Sequence, residues 1–291
     1  MFGMTRHFWL YAVCLVFLGC TSVADEFSDL IDLDFDDPSE HRVEPASMEA
    51  GILALKAAGD QASAEWFDCS IKSNDYFVLI SASGRPFSKK SVCYTEPAQA
   101  FLQSKIGVLA INLPGIGASP GTFDLGGAQS VAAIRQVVQA RMKGQRVLKG
   151  LWGYGETSIA GMVYSRHNPK VPALIVGSGV FDLDALKTQS SDPALKKRIE
   201  DLWKRSGESA MEARSVAWDP VGMPSKVYLY HGEKDRRIPS QGSLSFRDSL
   251  QTQGFDSRLI LVPDQKHLFK PGAELATVRK ILEDRFLKKA D

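Results

Sequence analysis

Short, nearly continuous apolar runs constrain the fold of this chain more than any other feature. They recur from residue 77 onward, at 77–80, 108–113, 147–152, 173–176, 227–230 and 259–262. Strands that are buried on both faces carry runs of this kind, whereas half-exposed strands alternate apolar and polar residues. Amphipathic segments with three- and four-residue spacing lie between and after the runs, as at 131–142 and 275–286. The pattern predicts a mostly parallel sheet with helices on both faces, and ligands of such folds bind at the carboxyl ends of the strands.

Composition narrows the classes of partner. The 291 residues are 44% apolar, which is enough for a sizeable core, and 35 Lys and Arg face 34 Asp and Glu. A net charge of +1 provides no field for a nucleic-acid backbone, so we expect no nucleic-acid partner. Four Cys and five His without CxxC or HExxH spacing argue against a metal site, and we expect no metal and no cofactor.

The N-terminal pattern predicts export. Arg6 precedes an apolar run at 8–19, which is shorter than the roughly 20 residues of a membrane-spanning helix, and small residues follow it. Two cleavage sites compete: Ser-Val-Ala at 22–24 gives a signal peptide of residues 1–24, while Phe-Leu-Gly-Cys at 17–20 resembles a bacterial lipobox that would lipidate Cys20. The expected location is therefore the periplasm or exterior, or the envelope membrane through lipidated Cys20.

The region after the signal separates into a tether and a body. Half of residues 25–40 are acidic, and repulsion at this density predicts a flexible tether over 25–45. The predicted α/β domain occupies 46–291, with a cap excursion at 183–225. In an oxidising compartment Cys69 and Cys93 are the remaining cysteine pair, and a disulfide and two buried thiols both fit their spacing.

Loops at the ends of predicted strands carry motifs in a recognisable order. They are NLPGIGAS at 112–119, GYGET at 153–157, YHGEKDRRIP at 230–239 and PDQKHLF at 263–269. Together they resemble the α/β-hydrolase superfamily over about residues 64–290, most closely its serine peptidase and esterase branch. The resemblance implies an α/β-hydrolase fold with a short helical cap, His267 as the base, and Asp235 as the acid that orients it. It also implies a small acyl ester or peptide-like ligand, while His231 is interpreted as a buried structural residue.

The nucleophile position departs from this family. Its members carry G-x-S-x-G on a sharp strand-to-helix turn, and the matching stretch places Gly155 where the serine stands. The following segment, 158–169, keeps the family register. Glycine accepts the positive φ of this turn with little strain but has no side chain to attack a substrate. The backbone amides of Glu156 and Ala82 would still form an oxyanion site, because such donors need no particular side chain.

Two functional interpretations remain open. In the first, the protein is a ligand-binding or regulatory pseudohydrolase that keeps His267 and Asp235. In the second, it is an active ester or peptide hydrolase that uses Ser158, or Thr157, as a non-standard nucleophile. A hydroxyl so early in a helix commonly bonds its own backbone, which favours the first interpretation. The sequence does not indicate an oligomeric state.

Overall fold

The computed structural model describes residues 42–55, 63–82, 84–217 and 219–286. The predicted signal peptide with Cys20, and the predicted tether up to residue 41, lie outside the described residues. Within the described ranges, every helix is too short or too polar to span a membrane.

Eight strands form one sheet in the order β1-β2-β4-β3-β5-β6-β7-β8. The strands are β1 Ser47–Ala54, β2 Ser63–Ser70, β3 Asp75–Ile80, β4 Gly107–Asn112, β5 Val147–Tyr154, β6 Ala173–Gly177, β7 Lys226–Gly232 and β8 Asp256–Val262. β1 and β2 pair antiparallel with their neighbours, and every pairing from β4 to β8 is parallel. The predicted mostly parallel sheet is confirmed, and the six apolar runs correspond to β3 through β8.

Helices cover both faces of the sheet. They are α1 Glu96–Gln103, α2 Ala128–Arg141, α3 Ser158–Arg166, α4 Leu183–Gln189, α5 Pro193–Glu212, α6 Gln241–Thr252 and α7 Ala273–Arg285. Alternate side chains of β3 enter two separate cores, with Val78 and Ile80 in one and Phe77 and Leu79 in the other. The first core receives α2 to α6 and the second receives α1 and α7. Burial of each such side chain contributes roughly 1.5–3 kcal/mol, which explains why these runs are almost purely apolar.

β1 and β2 were not among the predicted strands. β1 is an edge strand whose Ile52 is 59% exposed, so its sequence lacks a continuous buried run. β2 carries a buried carboxylate, Asp68, which Arg146 Nη1 contacts at 2.5 Å and Arg141 at 3.4 Å. Charged residues of this kind conceal a strand from a search for apolar runs.

The N-terminal end of the described chain is tied to the body. Cys69 in β2 forms a disulfide with Cys93, which lies in the 3-10 helix Val92–Tyr94. The Val43 N–H donates a hydrogen bond to Gln99 Oε1 at 2.9 Å. Arg42 lies over the ring of Tyr94, 4.4 Å from its centroid. Residues 42 and 43, which the sequence placed at the end of the tether, therefore contact the body.

The cap consists of α4 and α5, which lie between β6 and β7 in the chain. Leu186, Leu195, Ile199 and Leu202 form the buried stripe of these helices. Gly207 has φ +73°, outside the helical region, so α5 is two helical stretches that meet at a kink. The cap therefore attaches to the core by its apolar stripe, at the side of the sheet where β6 and β7 end.

Candidate active site

The carboxyl ends of β7 and β8 bring Asp235 and His267 together. His267 Nδ1 donates a hydrogen bond to Asp235 Oδ2 at 2.8 Å. The other carboxylate oxygen, Oδ1, accepts the Ile238 N–H at 2.9 Å, and the side chain is buried. Because a carboxylate only accepts, Nδ1 carries the imidazole proton and Nε2 faces away from the acid.

Electrostatics favour an ionised acid beside a neutral base. Burial alone would raise the pKa of Asp235, but hydrogen bonds from His231, His267 and the Ile238 N–H hold this pKa well below its usual value. Burial lowers the pKa of His267, and the hydrogen bond and charge of Asp235 oppose that change only in part. His267 is therefore neutral at neutral pH, with Nε2 available as a hydrogen-bond acceptor, which is the state required of a general base.

Gly155 lies directly opposite this imidazole. It begins the 3-10 helix Gly155–Thr157, called the elbow turn below, which joins β5 to α3. Its φ of +58° lies in the left-handed region that favours glycine. A Cβ atom added at Gly155 would lie 3.4 Å from both Cε1 and Nε2 of His267 and 3.9 Å from Ile238 Cδ1. A side chain at this position would thus point at the base and would have ordinary van der Waals space.

The two hydroxyls considered as alternative nucleophiles bond to their own turn. Ser158 Oγ donates to the Gly155 carbonyl at 2.6 Å, and Thr157 Oγ1 donates to the Tyr154 carbonyl at 2.9 Å. Both side chains are buried. The structure therefore groups Gly155, His267 and Asp235, while the hydroxyl protons of Ser158 and Thr157 are directed to backbone oxygens.

His231 occupies the interior beside the acid. Its Nε2 donates to the Ile238 carbonyl at 2.7 Å and lies 3.3 Å from Asp235 Oδ2, and its Nδ1 pairs with Ser243 Oγ at 2.7 Å. Both ring nitrogens are engaged and the residue is fully buried. This environment fits the interpretation of His231 as a structural residue that supports the acid.

The residues of the proposed oxyanion donors follow adjacent strands. Ile80 pairs with Gly153 in the parallel ladder of β3 and β5, so the chain segments that follow these residues leave the sheet side by side. Ala82 follows β3 and forms an isolated bridge with Arg85, and Glu156 follows β5 in the elbow turn. The topology thus places both backbone amides at the same edge as Gly155.

A buried ionic cluster at Glu156 is a feature that the sequence analysis missed. The Glu156 carboxylate accepts from Arg198 Nη2 at 2.8 Å and from Arg237 Nη2 at 3.0 Å. Arg237 Nε also lies 3.0 Å from Asp192 Oδ2. Arg198 belongs to α5, so the cluster fastens the cap to the elbow turn. The signal in the sequence is an acidic residue directly after a buried strand, which requires a partner but does not identify it.

Tyr154 ties the base to the strand that carries the elbow turn, and it was also missed. Its hydroxyl donates a hydrogen bond to the His267 carbonyl, and the two rings lie 5.5 Å apart. Burial raises the pKa of the Tyr154 phenol well above its usual value, so the hydroxyl keeps its proton as a donor.

Comparisons with known proteins point to one family. Residues 146–290 match the prolyl oligopeptidase family (Peptidase_S9). The dipeptidyl-peptidase 5 of Porphyromonas endodontalis is 29% identical over 146 residues, which are 47% of this chain and 20% of that protein. The chain thus covers about a fifth of the length of this curated relative.

Solved structures share the fold. The acylaminoacyl peptidase of Pyrococcus horikoshii superposes with a TM-score of 0.64 at 15% identity, over 84% of this chain and 42% of that chain. A lidless α/β serine hydrolase of Xanthomonas campestris superposes with a TM-score of 0.58 at 16% identity, over 86% of this chain and all of that chain. These likenesses and the parallel sheet confirm the predicted fold. The chain therefore has the α/β-hydrolase fold, and its residues 146–290 resemble the prolyl oligopeptidase family.

Proposed function

We propose that this protein is an exported pseudohydrolase that binds a small acyl ester or peptide-like ligand without cleaving it. One observation carries the proposal: the residue whose side-chain direction meets His267 Nε2 is Gly155. Asp235 and His267 keep the geometry of a base and its orienting acid. The similarity to a dipeptidyl-peptidase and to an acylaminoacyl peptidase supports a ligand with an acyl or peptide group.

Without a serine at position 155, the expected loss of catalysis is much larger than the gain in backbone stability. Loss of the nucleophile of a serine hydrolase costs about a millionfold in turnover, and only the contribution of binding and oxyanion stabilisation remains. The glycine relieves roughly 1–3 kcal/mol of backbone strain at φ +58°. A protein with glycine at this position is therefore expected to bind its ligand without cleaving it, and to have slightly less backbone strain at the elbow turn.

The retained dyad supports a second candidate, an ester or peptide hydrolase with a non-standard nucleophile. An ionised Asp235 and a neutral His267 are the state that a working general base requires. Ser158 is the residue proposed for attack, with Thr157 behind it. To serve, Ser158 Oγ must leave the Gly155 carbonyl and come within about 3 Å of His267 Nε2.

A labelling and turnover experiment separates the two candidates. We expect the purified full chain to resist a fluorophosphonate probe and to show little hydrolysis of p-nitrophenyl butyrate. Gly155→Ser should gain both labelling and hydrolysis, and the further change His267→Gln should abolish them. Strong labelling of the unmodified protein that disappears in Ser158→Ala would refute the pseudohydrolase proposal and support the second candidate.

The disulfide between Cys69 and Cys93 supports the proposed location in an oxidising compartment. We propose the periplasm or the cell exterior, with envelope attachment as the lipoprotein variant. Mass spectrometry of the mature N-terminus tests this. A start at Asp25 indicates a simple signal peptide, a lipid-modified Cys20 indicates an anchored protein, and an intact Met1 would contradict export.

A further inference from the structure

A cavity of about 430 Å³ lies outside the candidate active site. The start of α2, the middle of α3 and the residues after α5 surround it, and small residues at 126–128 form part of its lining. Its volume falls within the range of small-molecule sites. Gly155, His267 and Asp235 do not line it, so it is distinct from the crevice at the elbow turn.

Arg214 is fixed at one side of this cavity by neutral partners. Nη1 donates to the Ala210 carbonyl at 2.7 Å, and Nε donates to the Asp124 carbonyl at 3.3 Å. A Cβ atom at Gly127 would overlap Nη2, so the glycine makes room for the guanidinium. Because both hydrogen bonds end on carbonyl oxygens, they orient the charge without neutralising it. Burial lowers the pKa of Arg214, and the charge of Asp124 opposes this in part.

The nearby carboxylate of Asp124 accepts hydrogen bonds from the N-terminal end of α2. Asp124 Oδ1 accepts the Gly127 N–H at 3.0 Å, and Oδ2 accepts the Gln129 N–H at 2.9 Å. Ser130 Oγ adds a third hydrogen bond to Oδ1. These bonds satisfy amides at the first turn of α2, as an N-terminal cap does. The carboxylate oxygens therefore serve the helix, and in the described part of the chain they form no ion pair with Arg214.

A second guanidinium, that of Arg135, lies at the same cavity. Arg135 of α2 also lines the cavity and is exposed, and no ion pair or side-chain hydrogen bond of Arg135 occurs within the described residues. Among the residues that the structure describes, those that line the cavity include no Asp or Glu, and Val131 and Val163 contribute apolar surface. The guanidinium groups of Arg135 and Arg214 carry like charges and repel each other across the cavity. An anion between them would offset this repulsion and would accept a charge-assisted hydrogen bond from each.

We propose that this cavity binds the anionic group of a small organic molecule, a carboxylate or a phosphate monoester, between Arg135 and Arg214. The apolar part of the ligand would lie against Val131 and Val163. The ligand would contact α3, which begins at the elbow turn, and the segment that follows the cap. The proposal is independent of the role of Gly155.

Isothermal titration calorimetry of the full chain with three matched probes tests this site. Phenyl phosphate, benzoate and benzyl alcohol share a ring and differ in charge. We expect at least one of the anions to bind at millimolar concentrations or tighter, with an affinity that falls as sodium chloride is added, and the alcohol to bind much more weakly. Which anion binds more tightly identifies the ligand as a phosphate monoester or a carboxylate.

Variants locate the binding. Arg135→Gln should lower the affinity for the anion about tenfold or more, as expected for the loss of a charge-assisted hydrogen bond. The substitution should leave the fold intact, because the Arg135 side chain forms no ion pair or hydrogen bond within the described residues. Arg205→Gln, an equal change of charge at an exposed position of α5 away from the cavity, should leave the affinity unchanged. The proposal is wrong if no anion binds, if the alcohol binds as tightly as the anions, or if the two variants behave alike.

Discussion

Reduction of the disulfide between Cys69 and Cys93 should destabilise this protein by about 3.5 kcal/mol. The bridge spans 24 positions of sequence, and the chain-entropy relation assigns a loop of that length about 12 cal/mol/K of denatured-state entropy, hence about 3.5 kcal/mol at 25 °C. For a domain of this size the corresponding fall in Tm is about 7 °C. The closed loop contains β3 and the segment with Ala82, so the bridge also restrains one side of the candidate oxyanion site.

Urea unfolding in the presence and absence of dithiothreitol measures this difference. The double variant Cys69→Ala/Cys93→Ala serves as a control, because it removes two buried sulfur atoms as well as the bond and should lose about a further 1 kcal/mol of packing. The expected order of stability is oxidised, then reduced, then the variant. A reduced protein within about 1 kcal/mol of the oxidised one would refute the loop-entropy reasoning.

Three further predictions concern the elbow turn and the base. Glu156→Gln should lower the free energy of unfolding, measured in urea, by about 1–3 kcal/mol and should speed proteolysis of the cap, because two arginines lose a buried carboxylate. A loss no larger than that of an exposed ion pair would contradict this prediction. Asp235→Asn should lower the pKa of His267 further in an NMR titration, because the carboxylate's hydrogen bond and charge are the effects that raise it, and an unchanged value would contradict this. Gly155→Ala should cost about 1–2 kcal/mol, the same as Gly144→Ala at an open turn with φ +68°, and a much larger loss would mean that the space beside His267 is closed.

The sequence predicted the strands whose side chains are buried on both faces. β3 to β7 were found because their central residues lie between the two cores, where most side chains are apolar. β8 is the other edge strand, and it was found because its residues 259–262 are apolar although they are only partly buried. β1 and β2 were missed for the opposite reason. β1 is an edge strand with Ile52 exposed, and β2 buries Asp68 against Arg146, a partner 78 residues away that no local pattern identifies.

The candidate site also contains residues that the sequence could place and contacts that it could not. Asp235, His267 and Gly155 could be placed together because each follows a strand, and parallel strands end at a common edge. The partners of Glu156 could not be predicted, since Arg198 and Arg237 lie 42 and 81 residues further along the chain. Such contacts depend on how the cap lies on the sheet, which periodicity and spacing do not specify.

The hydrogen bond from Tyr154 to the His267 carbonyl has a mechanical consequence. Tyr154 is the last residue of β5 and immediately precedes Gly155, so the loop that carries the imidazole is anchored one peptide unit from the elbow turn. A shift of the His267 backbone away from residue 155 must stretch this bond, so the Tyr154 side chain helps to keep the spacing between the two loops. A hydroxyl introduced at position 155 would face an imidazole that is already held in place by Asp235 and Tyr154.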